Sequence, residues 1–77
     1  MIVIQGDTAH DLKHFNGLWI KHSEKDCTYE ICGLMWDYKV DAYKEVVIGG
    51  FATSAIAKTT LKRIEKALDR GLRWLYI

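Results

Sequence analysis

Proline is absent from this 77-residue chain, and cysteine occurs only twice. With 49% hydrophobic residues, the lack of proline argues against a disordered chain. No run approaches the roughly 18 consecutive apolar residues of a membrane span, so no membrane partner is expected. Met1 to Gln5 has neither the basic lead nor the cleavage-type end of a secretory signal, which points to the cytoplasm. Excess charge is missing too. A net charge of +1 argues against bulk DNA as a whole-surface partner. The length suits one domain, residues 1–77, too small to enclose a deep catalytic cleft comfortably. These absences favour binding over chemistry.

Domains below about 70–80 residues draw only a few kcal/mol from one core and often need a disulfide, a metal or a partner. Cys27 and Cys32 fall in one strand-like run, five positions apart, and so point to opposite faces. Their Cα atoms would then lie beyond the ~7 Å limit for a bridge. Two separated thiols suit a reducing compartment, and oligomerisation becomes the expected stabiliser.

Met1 to Ile4 reads as a short β-branched strand that stops at the turn residues Gln5-Gly6-Asp7. Asp7 to Asn16 reads as polar and irregular, and Asn16-Gly17 as a turn. Leu18 to His22, Cys27 to Trp36 and Tyr43 to Phe51 read as strands joined by polar links, an antiparallel meander. In the last of these, alternation places Val46 and Ile48 on one side and Tyr43, Val47 and Phe51 on the other. Gly49-Gly50 suggests a bulge or a close backbone approach.

Ala57, Leu61, Ile64 and Leu68, with Ile56, Thr60 and Ala67 beside them, form one apolar helical stripe. Thr53 or Ser54 supplies an N-cap oxygen, and Gly71 stands where a left-handed C-terminal glycine belongs. Beyond it, Leu72 to Ile77 is an apolar, aromatic tail expected to dock as an edge strand or against another chain. The expected fold is α+β. An antiparallel meander of three to four strands carries one C-terminal amphipathic helix on one face, followed by a short apolar tail or strand. The other sheet face is left to be covered by something else.

The segment Glu45 to Thr53, followed by Ala57, Leu61 and Ile64, runs a strand through a glycine-aromatic-x-Thr step into a helix. This pattern, with Phe15 to Ile20 upstream, resembles small uncharacterised accessory proteins of Gram-positive bacteria and their phages over about residues 1–68. The helix opening Ser54-Ala55-Ile56-Ala57 is neutral where those proteins are acidic, and the Trp74 tail has no counterpart. The resemblance implies a phage or mobile-element accessory protein that blocks a host protein or sequesters a small signal molecule. It brings no catalytic residues with it.

Signals for chemistry are thin. His10 and His14 stand four apart, a metal-type spacing on a helix, but they lie in a loop-like segment without an evident third ligand. Solvated loop histidines are the preferred reading, and no metal or cofactor is expected. Cys27 or Cys32 as a nucleophile would need a neighbouring base, for which His22 across a short turn is the candidate. A strand thiol is more often packing. Asp37 with Asp41, and Glu24 with Asp26, lie in turns, where such residues bond their own backbone. Gly49-Gly50 lacks the frame and lysine of a phosphate loop. The expectation is not an enzyme.

Charge and aromatics say more. Lys58, Lys62, Arg63, Lys66, Arg70 and Arg73 face only Glu65 and Asp69 in the last third, while the rest of the chain is acidic. A basic helix face of Lys58, Lys62, Lys66 and Arg70 suits an acidic protein or a phosphate backbone, and also suits plain solvation. Trp, Tyr and Arg anchor interfaces. Trp36, Asp37, Tyr38 and Tyr43 at a hairpin tip are therefore the expected partner site, with Trp74 and Tyr76 sealing a homodimer or docking the tail. The reading is a non-catalytic inhibitor of a host protein, with a defence component as the candidate target. The alternatives are a sponge for a nucleotide-type signal, with the basic residues on phosphate and an aromatic on the base, and a nucleic-acid-binding regulator using the basic helix.

Overall fold

In a computed structural model covering residues 1–77, the elements run β1 (Ile2–Gln5), β2 (Thr8–Asp11), a 3-10 turn (Leu12–His14), β3 (Phe15–Ser23), β4 (Thr28–Asp37), β5 (Ala42–Phe51), α1 (Ser54–Asp69) and β6 (Trp74–Tyr76). β3, β4 and β5 form the antiparallel meander read from the sequence, and α1 packs on one face of it. The chain is an α+β protein. A second sheet, in the order β2-β1-β6, joins the two ends of the chain.

That second sheet corrects the reading of Thr8 to Asp11 as irregular and bears out the tail as an edge strand. Thr8 to Asp11 is a strand pairing antiparallel with β1, although its residues show no apolar alternation. Leu12 after it is 8% exposed and belongs to the core. The tail docks within its own chain as β6, parallel to β1, with the Ile2 amide donating to Arg73 O and the Ile77 amide to Ile4 O, both at 2.8 Å. Leu75 and Ile77 turn toward the core, while Trp74 and Tyr76 are 59% and 67% exposed. The docking anchors are the aliphatic residues, not the aromatic ones.

Two bulges decide which side chains reach the core. Asn16-Gly17 makes no hairpin turn; it lies inside β3, with the β3–β4 register shifting there and Gly17 at φ +77°. Glycine takes that left-handed geometry without a Cβ penalty. The bulge absorbs the extra residue and lets both Phe15 and Leu18 pack against the core. In β5 the register shifts between Val47 and Gly49, so Ile48 is the unpaired residue. Strict alternation placed Phe51 with Tyr43 and Val47. The bulge reverses the parity, and Phe51 joins the core instead.

The helix is capped as its sequence suggests. Thr53 Oγ1 accepts from the Ile56 amide at 3.2 Å, and Gly71 has φ +69°. The amides of Gly71 and Leu72 donate to Leu68 O and Ala67 O, both at 3.0 Å, a Schellman closure. Its buried stripe is Ala57, Thr60, Ile64 and Ala67. Leu61 is half-buried, and Ile56 and Leu68 are exposed. The stripe is rotated toward its smaller residues, so the backbone sits close to the sheet while Ile64 fills the space beside Ile31 and Ile48.

Gln5 fastens the two sheets together. Its side-chain amide donates to Gly50 O and accepts from the Gly50 amide, both at 2.9 Å, as a neighbouring strand would. A Cβ on adjacent Gly49 would stand 2.9 Å from Ile77 Cδ1 and 3.1 Å from Gln5 Oε1, so a side chain there would have to displace the tips of both residues. Replacing Gln5 by Ala removes both bonds and should cost about 1–2 kcal/mol of stability in urea denaturation. An unchanged midpoint would show that apolar packing alone holds the sheets together.

Candidate functional site

The face of the central sheet turned away from α1 divides into two halves. At its centre Cys32 lies between Trp19 on β3 and Val47 on β5 and is 0% exposed. Lys21 and Glu45 pair at 2.8 Å from the two outer strands, across β4. Cys32 sits one row from each, which makes the ion pair a strap over the thiol. The hydrogen bond to Glu45, and then its charge, raise the Lys21 pKa. Burial pushes the Cys32 thiol up, and the charges of Glu45 and Glu30 add to the shift. The chain thus covers part of this face by itself.

The other half is aromatic and open. Trp36 at the end of β4 stands edge-on to Tyr43 of β5, with centroids 5.0 Å apart, and edge-on to Tyr38 of the hairpin loop at 6.4 Å. Tyr43 and Tyr38 are 53% and 88% exposed. The β3 bulge brings Asn16 to the same end, where its side-chain amide donates to the Tyr43 hydroxyl at 3.2 Å. The structure thereby assembles Trp36, Tyr38 and Tyr43, as read from the sequence. Asp37 serves the loop. Its Oδ1 accepts from the Lys39 amide at 2.9 Å, and its Oδ2 lies 3.7 Å from Lys44 Nζ.

Lys13 and His14 complete this end, and sequence reasoning did not place them there. Two shallow clefts meet at Trp36. One of about 210 Å³ is lined by Lys13, His14, Phe15, Asn16, Trp36 and Tyr43. The other, of about 380 Å³, is lined by Lys13, His14, Met35, Trp36 and Tyr38. The 3-10 turn holds both basic residues in place through Asp11, whose Oδ1 accepts from the Lys13 amide at 3.1 Å. That bond, with the charges of Lys13, the N-terminus and His14, holds the Asp11 carboxyl below its ordinary range against partial desolvation. Lys13 Nζ lies 3.6 Å from Asp11 Oδ2 and is largely exposed. The one sequence signal for the turn was Asp11 two residues ahead of Lys13, a side chain suited to bonding the backbone amide there.

The remaining candidates lie elsewhere. Lys58, Lys62, Lys66 and Arg70 are exposed on α1, on the far side of the sheet, and no residue of α1 lines either cleft at Trp36. One small ligand therefore cannot use the helix cations and the Trp36 aromatics together. Trp74 and Tyr76 share the outer face of the second sheet with Ile2 and Ile4, and Tyr76 O accepts from Arg63 at 3.1 Å. Cys27 sits in a turn at φ +52° rather than in a strand. His22 stacks on Tyr29 at 4.6 Å, so the thiol–imidazole pairing does not form. His10 packs edge-on to Phe15, and no three metal-ligating side chains come together. No helix is long and apolar enough to cross a membrane.

No family model, curated protein or solved structure matches the chain. The site rests on its own geometry. The two thiols give the domain a testable inside and outside, because Cys27 is exposed and Cys32 is buried. At pH 8 a thiol reagent should modify Cys27 rapidly and reach Cys32 only at the rate of unfolding. The raised Cys32 pKa also means that stability falls as pH climbs above the ordinary thiol value, since the unfolded thiol ionises first. Two equally fast thiols would show that the strap over Cys32 is open in solution.

Proposed function

We propose that this chain is a non-catalytic accessory protein, of the kind phages and mobile elements encode, that acts in the cytoplasm by binding and blocking a host protein. The observation that carries this reading is the open aromatic end of the central sheet. Half-buried Trp36 stands there with the exposed Tyr38 and Tyr43, beside Lys13 and Asn16. Clustered Trp and Tyr with a polar rim are the residue types that carry binding energy at protein interfaces. A component of bacterial defence is the proposed target class, following the resemblance of the strand-to-helix segment.

A second copy of the chain is proposed at the other apolar surface. Ile2, Trp74 and Tyr76 are 39%, 59% and 67% exposed on one face of the second sheet. A contiguous apolar patch of this kind on a small domain marks an association surface. This arrangement leaves the aromatic end free in each protomer.

Both parts are open to direct tests. Sedimentation at micromolar concentration should give a dimer, and Trp74→Ala with Tyr76→Ala should give a folded monomer. A wild-type monomer sinks the dimer. For the partner, affinity capture from a host lysate should enrich one protein, lose it with Trp36→Ala or Tyr43→Ala, and keep it when Lys62, Lys66 and Arg70 are changed to Glu. Capture that depends on the helix charges instead would move the site to α1.

A further inference from the structure

We propose that the two clefts meeting at Trp36 bind a free nucleoside phosphate, with its base against the Trp36 indole and its phosphate on Lys13 and His14. This goes beyond the protein-binding reading and does not depend on it. Three observations converge on one place. The first is shape: the larger cleft, about 380 Å³, falls in the range of small-molecule sites. The second is the wall. Trp36 lines both clefts, with Tyr43 and Tyr38 edge-on beside it, and offers an indole on which a planar base can stack. The third is charge. Lys13 and His14 are the only basic residues lining either cleft, they line both, and no carboxylate lines either.

Those features also choose among ligands. An aromatic platform alone would suit a cation, but Lys13 beside it opposes one and favours an anion carried on a flat ring. Asn16, held by its bond to the Tyr43 hydroxyl, keeps its carbonyl oxygen for an exocyclic amine or a sugar hydroxyl. Stacking and phosphate contact are shared by a free nucleotide and by the end of a nucleic-acid strand. The free nucleotide fits better, because a strand needs a continuous basic track. Here the other basic cluster, on α1, lies across the sheet and lines neither cleft. The Lys13–Asp11 contact at 3.6 Å is exposed and leaves Lys13 free to turn to a phosphate.

The test is a titration of the full chain, followed by the amide and indole N–H signals in proton–nitrogen NMR. The probes are adenosine 5′-diphosphate, adenosine, inorganic phosphate and a 5′-phosphorylated eight-nucleotide DNA strand. Adenosine 5′-diphosphate should shift the Trp36 indole and the Lys13 and His14 amides, leaving Trp74 unmoved. Adenosine and inorganic phosphate should each bind at least about fivefold more weakly, as the loss of one of two contacts implies. Trp36→Leu should abolish the shifts of the Lys13 and His14 amides, and Trp36→Phe should keep them. The pair Lys13→Gln and His14→Gln should weaken binding at unchanged melting temperature. The proposal is overturned if millimolar nucleotide leaves these signals in place, or if the shifts map to Lys62, Lys66 and Arg70. It is equally overturned if the oligonucleotide binds far more tightly with a steep salt dependence, which would make the ligand a nucleic acid.

Discussion

The hydrogen bonds between the Gln5 amide and the Gly50 backbone set the geometry on which the rest of the molecule depends. β1 is the middle strand of a sheet whose other members come from the first hairpin and the last residues of the chain. A parallel partner such as β6 cannot be reached by a tight turn, so everything between the two strands serves as their connection. The small sheet therefore closes only when the meander and helix have formed. Gln5 then ties its central strand to the edge of β5, where Gly49 makes room for Ile77. The chain ends, usually the most mobile parts of a small domain, become structural members.

Local signals were legible wherever the physics was local. The Thr53 cap, the Schellman closure at Gly71 and the meander of β3, β4 and β5 follow from residue types at fixed spacings. The misread features depend on distant partners. Thr8 to Asp11 pairs because β1 offers an edge, and nothing in Thr-Ala-His-Asp advertises a strand. Asn16-Gly17 carries the chemistry of a left-handed turn, and Gly17 does adopt that conformation. What the dipeptide does not encode is whether the strand reverses or merely bulges, since both use the same φ. The parity of Phe51 went the same way, decided by the unpaired Ile48 opposite β4.

The candidate site shows the same division. Trp36, Tyr38 and Tyr43 belong to one hairpin and were readable as a group. Lys13 and His14 arrive from a 3-10 turn more than twenty residues away in sequence and were read only as loop residues. The basic helix face was the more conspicuous signal, yet it sits in the layer behind the sheet. Charge runs in a sequence report how many cations there are, and only the fold reports which surface they share.

The bulge at Gly17 connects the stability of the domain to the site. Without the bulge, strict alternation from Leu18 back through Gly17 would turn Asn16 toward the core and Phe15 toward solvent. With it, Phe15 packs inward, and Asn16 reaches the Tyr43 hydroxyl on the open face. Lys13 and His14 precede Phe15 directly, so the anchoring of that ring also sets where the backbone of these two basic residues stands relative to Trp36. The bulge thus puts an aromatic residue into the core and a polar and basic edge onto the aromatic end. The strands behind them position Trp36 and Tyr43, while Lys13 and Tyr38 stand in solvent and are free to turn. A partly preorganised surface of this kind loses less conformational freedom on binding than a flexible loop would, which is how a small, shallow site can still be selective.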